Sequence, residues 1–351
     1  MSLQGYSTAA SRNLIRAAQG MLEHAQPIIV LGDFGEQKEM PKNNTDTLVF
    51  RRVLPFGAVT AGSGIGGTQY IGTPNITANS FLLSEGVTPN SNTVSFQDVS
   101  VQLQNFGVLY KFSSKVENLY EDDVPSEMMK LVGETMGEVL ELVRYGILKA
   151  GTQVIYTNGS SRGNVNTPVS LNKVRQAARV LEANRARRVT SKLSPSVNFG
   201  TKAVQPAYLV FCHTDAEADV RNLPNFTKVE EYGNGKPVHE REIGAVEQFR
   251  FITSPLLSPF SAAGSTTLNG MVSVGAVNAD VYPFLVVAES AWGQVALKGM
   301  GALMPRMISS GTTNHANPLG MFGYVGASTW FNAVRLNDAW MARIETAVTN
   351  L

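Results

Sequence analysis

The sequence predicts an α+β protein whose body carries a long two-stranded arm, and three observations predict it. A run from about Pro125 to Lys149 is apolar at helical spacing and reads as one long helix. Short apolar or alternating runs bounded by turn residues recur through the rest of the chain and read as strands. Between Val53 and Gln97 the composition shifts to Gly, Thr, Asn and Ser, with Glu85 the only charged residue. At 351 residues the chain exceeds one minimal core and implies about two domains or one elaborated one.

Ser7 to His24 has Leu14, Ile15, Ala18, Met21 and Leu22 at helical spacing and predicts a short amphipathic helix. A strand-like Pro27-Ile28-Ile29-Val30-Leu31 follows. The polar stretch Glu36 to Asp46 then leads into Thr47-Leu48-Val49-Phe50-Arg51-Arg52.

The stretch from Val53 to Gln97 cannot make a core of its own, and irregular segments this long inside compact proteins are disordered or functional. β-like sequence flanks it, Val49 to Leu54 before and Val94 to Tyr110 after. The spacing predicts a two-stranded arm. An isolated ribbon of two strands is marginal in water, so this one is expected to lie on a partner.

In the long helix, Asp122 and Asp123 place negative charge ahead of Pro125, a favoured first-turn residue. Met128, Leu131, Val132, Met136, Val139, Leu140, Val143 and Ile147 form its apolar stripe, over about 37 Å at 1.5 Å per residue. Gly133, Gly137 and Gly146 weaken the helix and permit close approach of a neighbouring backbone.

Ser170 is expected to cap a second helix reaching about Arg185, and Thr214 or Asp215 to open a short one through Val220. Tyr208 to Phe211 reads as a buried strand. Further strands are expected at Phe249 to Ile252, Met271 to Val277 and Pro283 to Ala288. Thr329 to Val334 and Trp340 to Thr346 alternate like strands around an Asn337-Asp338 turn.

Hydrophobic residues make up 43% of the chain and charged residues only 16%, against roughly 25% charged in an average protein. A surface largely covered by neighbours fits that shortage, and so does a large monomeric core. Lys and Arg total 29 against 28 Asp and Glu, a net charge of +1. A sequence-reading nucleic-acid binder shows a clear basic excess, so any nucleic-acid contact is expected to be non-specific. Cys212 is the only cysteine, which excludes an internal disulfide and suits a reducing cytoplasm. No apolar run approaches the 18 or so residues of a membrane helix.

Two motifs imitate catalytic or cofactor chemistry. Gly62-Ser63-Gly64-Ile65-Gly66-Gly67 satisfies G-x-G-x-x-G, but Thr68-Gln69-Tyr70-Ile71-Gly72-Thr73-Pro74 cannot start the helix a dinucleotide site needs. Gly159-Ser160-Ser161-Arg162-Gly163 fits the nucleophile elbow G-x-S-x-G, yet Asn164 to Pro168 does not make its helix. The four histidines and one cysteine show no metal-binding spacing. Lys173, Arg175, Arg179, Arg185, Arg187 and Arg188 stand against a single Glu182, a cluster suited to phosphates, to an acidic neighbour, or to a solvated helix face.

The order of segments resembles the N4-type family of phage major capsid proteins within the HK97 fold. The matching stretches are Met40-Pro41-Lys42-Asn43, Phe50-Arg51-Arg52, Ser84-Glu85-Gly86-Val87-Thr88-Pro89, Val154-Ile155-Tyr156-Thr157-Asn158-Gly159 and Leu336-Asn337-Asp338-Ala339-Trp340-Met341-Ala342-Arg343-Ile344-Glu345. The resemblance implies an N-terminal arm (1–47), an extended β-hairpin E-loop (48–105), a peripheral domain with a spine helix (106–167), an axial domain (168–303) and C-terminal strands returning to the peripheral domain (304–351).

The function it implies is a shell subunit, forming hexamers and pentamers that close into an icosahedral head around double-stranded DNA. Assembly contacts are expected at Arg51, Arg52, Gly64, Gly66, Gly67, Tyr70, Phe81, Glu85 and Pro89. Phosphate or inter-subunit contacts are expected at Arg179, Arg185, Arg187 and Arg188. No catalytic residue, cofactor, metal or membrane is expected. Expected partners are further copies of the chain, a separate scaffolding protein, a portal, packaged DNA and a decoration protein, with assembly in the host cytoplasm. Some members of the wider fold weld subunits through a Lys–Asn isopeptide bond from this arm. No lysine occurs between Arg52 and Lys111, so a non-covalent shell is expected. The rival readings are an encapsulin-like cellular compartment and, more remotely, a serine hydrolase using Ser161.

Overall fold

The computed structural model describes residues 29–351 apart from 44, 54–59, 62–69, 72–77, 89, 90, 92, 95, 120–122, 194–200, 233–236, 276, 299–303, 314 and 316. The helix expected from Ser7 to His24 therefore lies outside the described residues. In chain order the strands are β1 (Glu36–Met40), β2 (Thr47–Val53), β3 (Thr60–Ala61), β4 (Tyr70–Ile71), β5 (Phe96–Gln102), β6 (Gln104–Ser113), β7 (Val154–Tyr156), β8 (Val189–Leu193) and β9 (Thr201–Cys212). They continue with β10 (Thr227–Lys228), β11 (Glu242–Val246), β12 (Phe249–Thr253), β13 (Tyr282–Val287), β14 (Trp292–Leu297), β15 (Met304–Ile308), β16 (Phe322–Arg335) and β17 (Met341–Thr346). The α-helices are α1 (Ser114–Leu119), α2 (Val124–Lys149), α3 (Leu171–Ala183) and α4 (Glu217–Arg221).

Two sheets organise the body. The larger runs β10-β11-β12-β9-β13-β17-β7, with β8 paired to β9. The apolar run at its centre has a simple cause. Tyr208, Val210 and Cys212 pack under α3, whose Val174, Ala177, Ala178 and Leu181 face them. Leu209 and Phe211, on the opposite face, pack with Tyr145 and Leu148 of α2. A strand buried on both faces reads as an unbroken apolar run. In the second sheet β16 is the axis, with β6 along one edge and β14 and β15 along the other, and β1 pairs in parallel with β14. The first half of α2 covers this sheet through Met129, Val132 and Met136 against Phe112, Val325 and Ala327.

The expected elements are mostly present, and the exceptions have physical reasons. The long helix starts as its sequence directs: Asp123 is its N-cap, accepting from the Ser126 N–H at 3.4 Å and from its hydroxyl at 2.5 Å. Its buried face, however, is turned from the expected stripe. Leu131 is 48% exposed, while the polar Glu141 and Arg144 are buried. Outside its own helix, no described residue comes within 4 Å of where a Cβ on Gly146 would lie, so among the described residues that glycine serves no close packing. Ser170 stands at the N-cap of α3 but makes no side-chain cap bond, and the helix ends at Ala183.

Ile29 to Leu31 is not strand: Val30 is α-like and Leu31 opens a 3-10 turn to Asp33, because their N–H groups are taken by a side chain of α2. Glu36 to Met40, polar in sequence, is a strand because β14 offers it a ladder and Met40 is fully buried. Gly35 joins the two at φ +106, and a Cβ there would lie 2.7 Å from the Trp292 ring. Met271 to Val277 forms a single bridge, Met271 to Thr349, instead of a strand. The Asp280 carboxylate gathers the Ala262 and Val274 N–H groups at 2.6 and 2.9 Å, holding that segment as a loop. The strands around Asn337 do not pair with each other. β16 belongs to the second sheet and β17 to the first, and the turn between them is a 3-10 turn capped by the Asn337 side chain.

Candidate assembly surface

The arm is rooted in an antiparallel ribbon, β2 on β5, with Arg51 opposite Asp98 and Arg52 opposite Gln97. Alternation sorts its faces. Phe50, Val99 and Val101 turn inward onto Met40, Val295 and Val334. Val49, Val53 and Phe96 face outward and are exposed. Arg51 forms a bidentate pair with Asp98, both bonds at 2.8 Å, which holds that carboxyl below its ordinary value and raises the guanidinium. Arg52 lies on the inner face, where Nε and Nη2 both donate to Gln97 Oε1 at 3.0 and 2.7 Å. Burial pushes its guanidinium down to about 10.

Farther out, β3 pairs with β4 through Ala61 and Tyr70. Ala78 to Phe81 forms a 3-10 turn, and Ser84 to Val87 a β-turn closed by Val87 N–H to Ser84 C=O at 3.2 Å. Gly86 carries φ +78 at the third position, where a turn of this kind takes glycine. These turns hold Phe81, Leu82, Leu83 and Val87 outward, with Leu82 82% exposed, and Glu85 is exposed beside them. A run of large apolar side chains left in water marks an interaction surface. Of the other expected contacts, Gly64, Gly66, Gly67, Pro89 and the Tyr70 side chain lie outside the described residues.

Two buried ionic clusters were not legible as sites. On α2, Glu141 Oε1 accepts the N–H groups of Val30 and Leu31 at 3.0 and 2.7 Å. Arg144 lies beside it at 3.5 Å and donates through Nε to Gln294 Oε1 at 2.9 Å, and Gln294 donates to the Gly32 carbonyl at 2.9 Å. Burial pushes the Glu141 carboxyl up, opposed by the Arg144 charge.

The second cluster surrounds Glu345, which is fully buried. Arg162 forks onto it with two 2.7 Å bonds and Arg343 reaches it at 2.8 Å. Arg343 also donates to the Lys149 and Gly151 carbonyls, and Arg335 to that of Ala150, which satisfies the open carbonyl end of α2. The half-exposed Arg162 is raised by its bonds to Glu345. The more deeply buried Arg343 is lowered by desolvation, although both share one carboxylate. Polar residues at i and i+3 in an apolar stripe, Glu141 and Arg144, were the available signal for the first cluster.

The basic cluster divides. Arg175 pairs with Glu247, and Arg188 meets Glu182 at 3.4 Å, Gln248, and the Tyr208 ring. Arg179, Arg185 and Arg187 are exposed, and their side chains make no hydrogen bond or ion pair with a described residue.

Ser161 is exposed, with extended backbone (φ −145, ψ 161), and leads into a three-residue 3-10 turn. The strained strand-to-helix corner of a nucleophile elbow is not formed. Cys212 is buried and burial pushes its thiol up. Among the described residues no group of three or more His, Cys, Asp or Glu could hold a metal, and no helix is long and apolar enough to cross a membrane.

A two-sheet body with a long spine helix and an arm of exposed apolar turns is the fold of the HK97-like phage capsids. Solved capsids share the fold. The Ralstonia phage GP4 capsid superposes with a TM-score of 0.58 at 11% identity, covering 90% of this chain and 87% of that one. The cyanophage Pam1 capsid gives 0.58 at 12%, covering 93% of each. The family model described as phage capsid protein matches residues 114–306, and the chain belongs to that family. The major capsid protein of Pseudomonas phage KPP21 is 22% identical over 278 residues, 73% of this chain and 69% of that protein. The chain is a phage major capsid protein.

Proposed function

We propose that the chain forms hexamers and pentamers that close into an icosahedral head around packaged double-stranded DNA, and that it is of the N4-type subclass. The observation that carries this reading is the arm. Its one charged residue between Val53 and Gln97 is Glu85, and its turns hold Phe81, Leu82, Leu83 and Val87 in water. Laid over a neighbouring copy, such an arm buries apolar surface at about 25 cal/mol per Å² without removing charges from water. Ring-forming heterologous contacts, slightly varied in angle, close such subunits into a container.

In this reading residues 48–105 are the E-loop, with Arg51, Arg52, Gly64, Gly66, Gly67, Tyr70, Phe81, Glu85 and Pro89 as its contacts. Residues 106–167 are the peripheral domain with the spine helix, 168–303 the axial domain, and 304–351 the C-terminal strands that return to the peripheral domain. A separate scaffolding protein, a portal and a decoration protein are its further partners, and assembly takes place in the host bacterial cytoplasm.

Sedimentation and electron microscopy of the purified chain, alone and with a scaffold, test the reading. Closed particles tens of nanometres across, holding DNA in the virion, are expected. A monomer that never assembles would overturn it. Shells filled with protein cargo and no DNA would make it a cellular compartment instead.

A further inference from the structure

Arg179, Arg185 and Arg187 form a basic corner where α3 ends, with no side-chain bond or ion pair to a described residue, while Arg175 and Arg188 are bound within the subunit. The helix closes in a Schellman turn, with Ala186 N–H to Leu181 C=O at 3.0 Å and Arg185 N–H to Glu182 C=O at 2.9 Å. Arg185 occupies its left-handed position at φ +56. Glycine is favoured there, and a side chain costs about 1 kcal/mol. Such an outlier is a reason to look for a use of the side chain.

The ladder fixes where this corner lies. Tyr208, whose hydroxyl donates to the Ala186 carbonyl, stands opposite Phe249, beside the Glu247–Gln248 turn. At the other end of the same sheet, on its edge, Glu230 and Glu231 sit in the 3-10 turn that follows β10. Both are exposed and make no side-chain bond or ion pair with a described residue. Glu240, before β11, is a third exposed carboxylate; Lys228, Lys236 and Arg241 stand in the same stretch of sequence, so the negative charge offered here is that of the Glu230–Glu231 turn itself. β11 runs from Glu242 near that turn to Val246 near the basic corner. Five residues of strand separate the two by roughly 16 Å. They do not meet within one subunit.

We propose that the basic corner of one subunit contacts the Glu230–Glu231 turn of a second copy. This deepens and rests on the shell reading: a heterologous contact needs two different surfaces on one molecule, and opposite charge sets its register.

A charge-swap series tests it under conditions in which the wild-type chain closes into shells. Arg185→Glu with Arg187→Glu, and separately Glu230→Lys with Glu231→Lys, are each expected to lower the yield of closed shells roughly tenfold or more, since each sets like charges face to face. The subunit melting temperature, measured on unassembled chain, is expected to stay the same, because all four groups are exposed. All four substitutions in one chain are expected to restore closure. Failure of the four-fold swap to restore closure, with folded subunits, would overturn the contact. So would normal closure of the arginine variant with loss of retained DNA, which would assign the corner to phosphates. Failure of the wild-type chain to close would overturn the shell reading itself, and the contact with it.

Discussion

The fully buried Glu141 carboxylate on the spine helix receives the Leu31 N–H at 2.7 Å, and with it the N–H of Val30 at 3.0 Å. One side chain thus caps the 3-10 turn through which the chain enters the body. Arg144 and Gln294 extend the bond to β14 and to the Gly32 carbonyl. The first described segment is thus held both by this network and by the apolar packing of Val30, Leu31 and Phe34 in the core.

Glu141→Ala leaves two buried N–H groups and the Arg144 cation without their partner, and is expected to destabilise the subunit by about 3–5 kcal/mol. Glu141→Gln keeps an oxygen for the two N–H groups and is expected to lose less. Urea unfolding of unassembled subunits measures both. Equal losses would show that the charge, and not the acceptor, holds the turn.

Glu345 holds the other buried cluster. It is the shared partner of Arg162 and Arg343, and Arg343 in turn closes the C-terminal end of the spine helix. Glu345→Ala is expected to cost about 3–5 kcal/mol by stranding two guanidinium groups. Ser161→Ala, one residue from Arg162 but exposed, is expected to change stability by less than about 0.5 kcal/mol. The same variant checks the hydrolase rival: the wild-type chain is expected to take no label from a fluorophosphonate probe.

The arm, the spine helix and the central strand were legible because each rests on local pattern. The stretch from Val53 to Gln97 with Glu85 as its one charge, the Asp123-Val124-Pro125 start and the Tyr208 to Cys212 run need no partner to be recognised. What was missed depends on distant residues. β1 is polar and is a strand only because β14 pairs with it. Leu131 fits the helical stripe, yet α2 turns Glu141 and Arg144 inward to meet Val30, Leu31 and Gln294. The strands flanking Asn337 read as neighbours and enter different sheets. Arg162 was read only as part of a serine motif, because nothing local links it to Glu345.

Acid is expected to loosen the root of the arm. The Asp98 carboxyl is lowered from its ordinary 3.8 mainly by its bond to Arg51. A carboxylate lowered in the folded state contributes stability that is present above the unfolded value and lost as pH falls through the folded one. The contribution is small, since the pair is exposed. Carbon-13 titration of Asp98 is expected to give a midpoint below 3.8, and Arg51→Ala to move it back up. An unmoved midpoint would mean that the fork is not formed in solution.

The arm also decides how the shell is held. An isopeptide bond forms when a lysine amine attacks an asparagine amide and ammonia leaves. From Val53 to Tyr110 the chain has asparagines but no lysine, so this arm cannot supply the attacking amine. Mature particles boiled in detergent are therefore expected to run as one monomer band, and a ladder of multimers would overturn the non-covalent shell. If the hold is apolar instead, it resides in side chains such as Leu82 and Leu83, 82% and 70% exposed in the lone subunit. Leu82→Asp with Leu83→Asp is then expected to leave the subunit's unfolding curve within about 0.5 kcal/mol, as an exposed change does. Closed shells are expected to be lost or to melt at lower temperature, because two charges would be buried without partners at the contact. Equal melting of variant and wild-type shells would show that these leucines remain in water after assembly.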